Sequence, residues 1–179
     1  MITVRSEIAG DVAAREALLD LAYGPVRFEK PSQKLRTGRT PALALVALDR
    51  GEVVGTVRLW QVAAGAGRPA LLLGPLAVHP GRRCRGIGAA LMWRALRTAR
   101  EAGHAAVLLV GDVSYYGRFG FTADKTGALT MPGAYEPARL LGVELADGAL
   151  DGAHGAIRAA VRRRPAVRAT STVAVAQAA

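Results

Sequence analysis

The sequence predicts an α/β domain with a mixed β-sheet, and two observations lead to this. Short apolar runs of strand length are interrupted by two longer segments in which apolar residues recur at helical spacing. Their order along the chain is strand, helix, hairpin, strand, helix, strand, turn and strand, which is not a regular β-α-β alternation. The chain has 179 residues, 51% hydrophobic and 21% charged. These proportions suit one globular domain and exclude global disorder.

A strand and a helix open the chain. Residues 2–6 alternate as in a strand, and Asp11 stands where it could cap a following helix. The helix is expected to reach Tyr23 and to stop at Gly24, because glycine readily adopts the left-handed conformation that ends helices. Its predicted apolar face comprises Val12, Leu18, Leu19 and Leu21.

A hairpin follows a polar segment. Residues 25–41 are polar, with one short helix expected after Pro31. The apolar runs at 43–48 and 53–62 flank the turn-forming residues 49–52, so they predict two antiparallel strands.

The next strand and helix form the centre of the sequence. Residues 71–78 predict a strand, but Pro75 has no backbone donor, so the strand must be bulged or lie at an edge there. Gly86 opens a predicted helix that reaches about Ala102 before Gly103. Its apolar face is expected to comprise Ile87, Leu91, Ala95 and Ala99.

The remaining elements are short. Residues 105–110 are apolar throughout, which favours a central strand. Residues 114–118 predict a helical turn, and residues 119–121 and 138–145 predict further strands. A marginal strand is expected at 171–176 in a poorly ordered terminus.

The basic charge is unevenly distributed. The formal net charge is +10, and residues 82–100 contain six arginines and no acidic residue. A second block of five arginines lies within residues 152–179. This pattern predicts an acidic partner. Aromatic residues are only 5% of the chain, few for a protein that stacks single-stranded nucleic acid on aromatic rings.

The cysteine and histidine content argues against disulfide bonds and metal sites. Cys84 is the only cysteine, which excludes an internal disulfide and a zinc site made of cysteines, and the three histidines lack ligand spacing. We therefore expect no metal. The N-terminus does not resemble a signal peptide, and no apolar run has the length of a membrane span. We expect a cytoplasmic protein without a membrane partner.

A glycine motif between a strand and a helix is the most informative segment. It reads Arg83-x-x-Gly86-x-Gly88. Helix N-termini present unpaired N–H groups and a partial positive charge, and glycines let a phosphate approach them closely. Nearby arginines add charge, so the segment suits a diphosphate. A P-loop is excluded because Gly-Lys-Ser/Thr is absent, and a dinucleotide fingerprint lacks its third glycine, since Leu91 stands there.

This segment resembles the acetyl-CoA-binding motif of the GNAT superfamily of N-acetyltransferases. A second match, Tyr115-Tyr116-Gly117-Arg118-Phe119-Gly120-Phe121, resembles the tyrosine signature of that family. The resemblance implies a GNAT-like, mostly antiparallel sheet flanked by helices and splayed between two neighbouring central strands. Residues 1–157 would form one acetyltransferase domain, followed by the basic and then uncharged tail 158–179. Residues 73–78 and 131–137 resemble a group of largely uncharacterised bacterial members.

The resemblance also implies roles for individual residues. The acetyl group would be transferred directly from acetyl-CoA to an amine. In this reaction Tyr116 would return a proton to the leaving CoA thiolate. The strand backbone that would pair with the pantetheine amides is Leu76, Ala77 and Val78. The backbone amides that would hold the pyrophosphate are those of Arg85, Gly86, Ile87, Gly88 and Ala89, with Arg83 and Arg85 as charged support.

Several alternatives stay open. Glu52, Asp112 and Glu136 are candidate general bases, and a chain of water molecules would also serve. The acceptor is a small-molecule or peptide amine of unknown identity. Competing functions are a nucleic-acid-associated module that uses the two basic blocks and a non-catalytic CoA-binding regulator. A homodimer is compatible with the family.

Overall fold

A central β-sheet is the main feature of the computed structural model, which describes residues 1–160. Its seven strands are β1 (Ile2–Ser6), β2 (Leu43–Asp49), β3 (Glu52–Ala64), β4 (Arg68–Val78), β5 (Ala106–Val110), β7 (Leu140–Glu144) and β9 (Arg158–Ala159). Two short parallel strands, β6 (Leu129–Thr130) and β8 (Gly155–Ala156), form a second sheet. The helices are α1 (Val12–Tyr23), α2 (Ile87–Glu101) and α3 (Val113–Tyr116).

The strand order in the large sheet is β1-β2-β3-β4-β5-β7, and β9 pairs with β3. Every neighbouring pair is antiparallel except β4 and β5, which run parallel. The predicted mixed, mostly antiparallel sheet flanked by helices is confirmed.

The hairpin between β2 and β3 forms as predicted. Asp49 pairs with Glu52, so only Arg50 and Gly51 form the turn. Both have positive φ angles, 52° and 87°. This is the backbone geometry of a type I′ turn, whose twist matches that of the flanking strands.

The predicted irregularity at Pro75 is also present. Arg58 of β3 lies opposite both Gly74 and Pro75, because the register shifts between Val57 and Leu59. The extra residue on β4 makes a bulge, so the missing N–H of Pro75 breaks no regular ladder.

Side chains from the two faces of the sheet form separate clusters. α2 covers one face, and its predicted apolar residues Ile87, Leu91, Ala95 and Ala99 are all at most 2% exposed. The opposite face is covered by side chains from the C-terminal part and from the turn before β2, including Leu35, Leu129, Met131, Leu150 and Ile157. α1 packs against β3 and β4 through Leu18 and Leu19.

The start of α1 differs from prediction. Asp11 precedes the helix, but its carboxylate does not cap it. The carboxylate accepts hydrogen bonds from Arg5 and from the Ile8 amide instead, because the guanidinium offers two charged donors. Val12 and Leu21 were predicted in the apolar face and are in fact exposed.

The C-terminal elements also differ in detail. Residues 119–121 do not form a strand. Phe119 ends a 3-10 turn, and Thr122 forms an isolated antiparallel bridge with Gly142. The strand predicted at 138–145 is β7, which begins only at Leu140 because a 3-10 turn, Pro137–Arg139, precedes it. Arg158 and Ala159 pair with β3, so paired structure continues past residue 157. The predicted strand at 171–176 lies outside the described residues.

Candidate active site

An opening in the sheet positions the site. β4 and β5 pair only at Leu71–Val107 and Leu72–Leu108. Beyond Leu72, β4 continues to Val78 with β3 as its partner while the path of β5 diverges. The splay between two central strands that the resemblance implied is therefore present, and two cavities border it.

The loop before α2 presents a series of backbone amides that are unpaired in the described chain. Gly86 caps the helix with a φ angle of 75°, and the first helical bond runs from the Ala90 amide to the Gly86 carbonyl at 2.9 Å. Among residues 1–160, no acceptor pairs with the amides of residues 84–89. A Cβ on Gly86 would meet no atom within 4 Å. The helix start is thus open and rich in donors, which suits a phosphate.

The arginines of this loop are not equivalent. Arg82 lies 3.2 Å from the carboxylate of buried Asp49, at the end of the β2–β3 hairpin, and Arg85 lies 4.0 Å from it. Arg83 has no such partner in the described chain and lines the smaller cavity. Asp49 therefore anchors the loop, a role that the sequence did not reveal because the two segments are 33 positions apart.

The smaller cavity, of about 200 Å³, brings together the strand and helix parts of the predicted cofactor site. Its lining comprises Ala22, Tyr23, Leu76, Ala77, Val78, Arg83, Gly88 and Tyr115. Five of the predicted cofactor-binding residues are among these, namely Leu76, Ala77, Val78, Arg83 and Gly88. Ile87 does not line the cavity, because its side chain is in the core, so only its backbone could contact a ligand.

Tyr115 and Tyr116 face different cavities. Tyr115 lines the smaller cavity, and its hydroxyl oxygen lies 2.6 Å from the position of a Cβ on Gly88. Tyr116 lines a larger cavity of about 320 Å³. The two rings meet edge to face with centroids 4.9 Å apart. The tyrosine pair therefore spans the boundary between the cavities.

Tyr116 is held by its surroundings. A Cβ on Gly111 would collide with the Tyr116 ring, so the glycine at the end of β5 makes room for it. The Phe121 ring meets the Tyr116 ring edge to face, with centroids 6.0 Å apart. Burial raises the pKa of the Tyr116 phenol well above its ordinary value, and the nearby Tyr23, Tyr115 and Asp112 raise it further. The phenol therefore stays protonated across the physiological pH range.

The larger cavity lies between α1, the two 3-10 turns at Pro25–Phe28 and Pro31–Leu35, and strands β3 to β5. Leu72, Leu73, Gly74 and Pro75 of β4 line it, whereas the next three residues of β4 line the smaller cavity. Tyr23 lines both, and its hydroxyl donates a hydrogen bond to the Leu76 carbonyl. From the sequence, Tyr23 was predicted only to end a helix, and its contact with β4 was not foreseen.

None of the three candidate general bases from the sequence lines the larger cavity. Asp112 is exposed and pairs with Arg139 at 3.3 Å. Among residues 1–160, the carboxylate that does line the cavity is that of Glu16. Burial acts to raise its pKa, but the hydrogen bond from Arg27 and the charges of Arg15, Arg27 and Arg58 outweigh burial and lower it. Glu16 is therefore a weak base.

His79 and Cys84 lie outside the two cavities. His79 accepts a hydrogen bond from the Gly81 amide through Nδ1, at 3.1 Å, and so stabilises the turn. Cys84 is exposed. Within residues 1–160 no group of three or more His, Cys, Asp or Glu side chains is placed to hold a metal ion. No helix in that same range has the length and apolarity to cross a membrane.

The chain is similar in sequence to known acetyltransferases. Residues 14–121 match the acetyltransferase (GNAT) family. The uncharacterised N-acetyltransferase YhbS of Escherichia coli strain K12 is 32% identical over 158 residues, which cover 86% of this chain and 93% of that protein.

Two crystal structures are similar to this chain in fold and in sequence. The crystal structure of E. coli YhbS in complex with CoA superposes with a TM-score of 0.77 at 30% identity, covering 89% of each chain. That of a GNAT family acetyltransferase from Brucella melitensis in complex with acetyl-CoA gives a TM-score of 0.62 at 30% identity, covering 84% of this chain and 99% of that one.

Proposed function

Because the chain belongs to the GNAT family of acetyltransferases, we propose that it binds acetyl-CoA across the smaller cavity and the start of α2, and transfers the acetyl group directly to an amine in the larger cavity. The observation that supports this most is the division of β4. Residues 72–75 line the larger cavity and residues 76–78 line the smaller one, so two ligands bound there would meet along one strand.

The diphosphate would lie at the start of α2. The unpaired amides from Arg85 to Ala89 suit its oxygens, and Arg83 adds a charge that no carboxylate neutralises in the described chain. Arg85 and Arg82 are partly neutralised by Asp49, so we assign Arg83 the larger electrostatic role. The pantetheine arm would follow Leu76, Ala77 and Val78 toward the splay.

Transfer needs no enzyme nucleophile. The amine nitrogen attacks the thioester carbonyl carbon, a C–N bond forms, and the C–S bond breaks to release the CoA thiolate. Tyr116 is proposed to donate its phenolic proton to that thiolate, since it lines the cavity beside the splay and stays protonated. The proton lost by the amine passes to water, because Glu16 is already paired with Arg15 and Arg27, and Tyr116 regains its proton from water after CoA is released.

Two measurements test the proposal. Isothermal titration should show saturable binding of acetyl-CoA, and a thiol reagent should detect free CoA that accumulates only when an amine is added. A protein that binds acetyl-CoA but releases no CoA with any amine would be a CoA-binding regulator. Absence of acetyl-CoA binding would reject the proposed site altogether.

A further inference from the structure

The polar wall of the larger cavity is mostly cationic. Within the described residues it contains five basic side chains and one acidic side chain, namely Arg15, Arg27, Lys30, Arg36, Arg58 and Glu16. Charged side chains in a partly enclosed cavity interact strongly with a ligand, because little water screens them. The pairing of these charges therefore bears on the kind of acceptor.

Three of the five cations are neutralised by the protein itself. Arg15 pairs with Glu7 and Glu16, and Arg58 also pairs with Glu7. Arg27 pairs with Glu16 and with Asp20, at 2.6 Å and 2.9 Å.

These three arginines are matched by three carboxylates, Glu7, Glu16 and Asp20. They form a nearly neutral network and contribute little net charge to the cavity.

Arg36 is different. It is only 7% exposed, and within residues 1–160 no carboxylate lies within ion-pair distance of it. Its Nε donates to the Ser32 carbonyl at 3.1 Å and its Nη2 to the Ser32 hydroxyl at 2.6 Å, which leaves Nη1 available. Burial lowers the pKa of Arg36 to about 10, so it is still charged at neutral pH. A buried charge without a counter-ion is costly unless a ligand supplies one.

Arg36 lies beside the part of β4 that lines the larger cavity. Its Nη1 is 3.9 Å from the position of a Cβ on Gly74, at the bulge where β4 separates from β5. The Gly74 carbonyl accepts from the Trp60 indole at 2.6 Å, so it does not compete for the guanidinium. Arg36 and Tyr116 line the same cavity.

Lys30 adds a second unmatched charge at the cavity rim. Its Nζ lies 4.2 Å from the ring centroid of Tyr23, and no acidic side chain in the described chain forms an ion pair with it. Because Tyr23 also borders the smaller cavity, Lys30 stands near the boundary between the proposed donor and acceptor sites.

We propose that the acceptor is a small primary amine that also contains an acidic group, a carboxylate or a phosphate, and that Arg36 binds this acidic group with Lys30 in support. The inference rests on the proposed function and names the substrate class of the same site. A planar guanidinium is well suited to both oxyanions, because it can donate two parallel hydrogen bonds. The cavity of about 320 Å³ is at the lower end of ligand-site volumes and fits a small acceptor.

A cation that the acceptor leaves unpaired favours the reactive form of the amine. Only the neutral amine attacks a thioester, and nearby cations disfavour its ammonium form. With the acidic group paired to Arg36, the charge of Lys30 would lower the pKa of the bound ammonium and so compensate for the weakness of Glu16 as a base. Polyamines and aminoglycosides, which bring several positive charges and no acidic group, fit this cavity poorly.

Matched acceptor pairs test the substrate class. CoA release should be measured with an α-amino acid against its carboxamide, with phosphoethanolamine against ethanolamine, and with spermidine. We expect kcat/KM at least tenfold higher for the acidic member of one pair, and the pair that responds identifies carboxylate or phosphate as the group recognised. Turnover that is equal for both members of each pair, or highest with spermidine, would overturn the inference.

Variants at position 36 test whether Arg36 binds the acidic group of the acceptor. Arg36→Gln should raise KM for the acidic acceptor at least tenfold and bring the ratio within the pair toward one, while the acetyl-CoA affinity is unchanged. Arg36→Lys should retain part of the preference. Lys34→Gln is the matched control, because Lys34 is an exposed cation in the adjacent 3-10 turn outside the cavity lining. Equal effects of Arg36→Gln and Lys34→Gln would reject the role of Arg36.

The wild-type protein supplies a measurement that does not depend on the folding of a variant. A carboxylate or phosphate compound that lacks the amine should inhibit competitively with respect to the acceptor and not with respect to acetyl-CoA. Absence of such inhibition would count against the anion site. Failure of acetyl-CoA to bind would instead reject the proposed function, so the two failures can be told apart.

Discussion

The hydroxyl oxygen of Tyr115 lies 2.6 Å from the position that a Cβ on residue 88 would occupy. A larger residue at position 88 would therefore push against Tyr115 and fill the smaller cavity. We expect Gly88→Val to weaken acetyl-CoA binding by more than tenfold in a titration. Ala90→Val is the control, since Ala90 lies on the same helix and is exposed away from that cavity. Equal affinities for the two variants would contradict the proposed cofactor site.

Tyr116→Phe removes the proposed acid and keeps the ring. Because a general acid typically contributes at least about a hundredfold in rate, kcat should fall by about that factor. The dissociation constant of acetyl-CoA should change less than twofold, since Tyr116 lines the other cavity. Rapid-quench or thiol-release kinetics beside titration calorimetry would separate the two effects. Unchanged kcat would exclude Tyr116 as the acid.

The pH dependence provides an independent check on Tyr116. Burial, with the neighbouring Tyr23, Tyr115 and Asp112, raises the pKa of its phenol, so the donating form persists to higher pH than for a tyrosine in water. Deprotonation of an ordinary tyrosine would reduce kcat near pH 10. We expect kcat at saturating acceptor to show no such decline up to about pH 10. A decline centred well below pH 10 that disappears in Tyr116→Phe would contradict the assignment of the raised pKa.

Gly111 should be needed for the position of Tyr116. A methyl group at residue 111 would collide with the Tyr116 ring, and the Gly111 amide is fixed by a hydrogen bond to the Arg139 carbonyl at 2.9 Å. We expect Gly111→Ala to cost about 1–3 kcal/mol of unfolding free energy, as overpacked sites do, and to lower kcat. Gly127→Ala is the control, because a Cβ there meets no atom within 4 Å. Similar urea midpoints for the two variants would refute the steric argument.

Features fixed by neighbouring residues were predictable from the sequence. The turn at Arg50–Gly51 and the glycine start of α2 depend on local backbone geometry, so their sequence signals were sufficient. The apolar face of α2 follows from helical periodicity alone, and its burial is confirmed.

Features that depend on contacts between distant segments were not predictable. Arg36 becomes a buried cation only because a 3-10 turn packs beside Gly74, almost forty positions later. The pair between Asp49 and Arg82 likewise joins a hairpin to a distant loop. Glu52 and Glu136 were candidate bases, but neither lines the larger cavity. Which carboxylate borders that cavity depends on the tertiary fold, and position in the sequence does not reveal it.

Asp11 was predicted to cap α1 and instead joins β1 to the turn before the helix. Hydrogen bonds from Arg5, at 2.6 Å and 2.9 Å, and from the Ile8 amide, at 2.9 Å, lower the pKa of its carboxyl group. A lowered pKa in the folded state means that the contribution to stability is present above the unfolded pKa, about 4, and is lost as the pH falls through the folded value.

Asp11→Asn should therefore reduce the free energy of unfolding by about 1 kcal/mol at pH 7, the typical contribution of one such hydrogen bond. The difference between wild type and variant should shrink as the pH falls below about 4, because the wild-type carboxylate is then protonated as well. Urea denaturation at pH 7 and at pH 3 measures both values. Asp124→Asn, at an exposed residue with no ion pair in the described chain, should show no difference at either pH. A stability difference for Asp11→Asn that is the same at both pH values would mean that the ionised carboxylate is not what stabilises this contact.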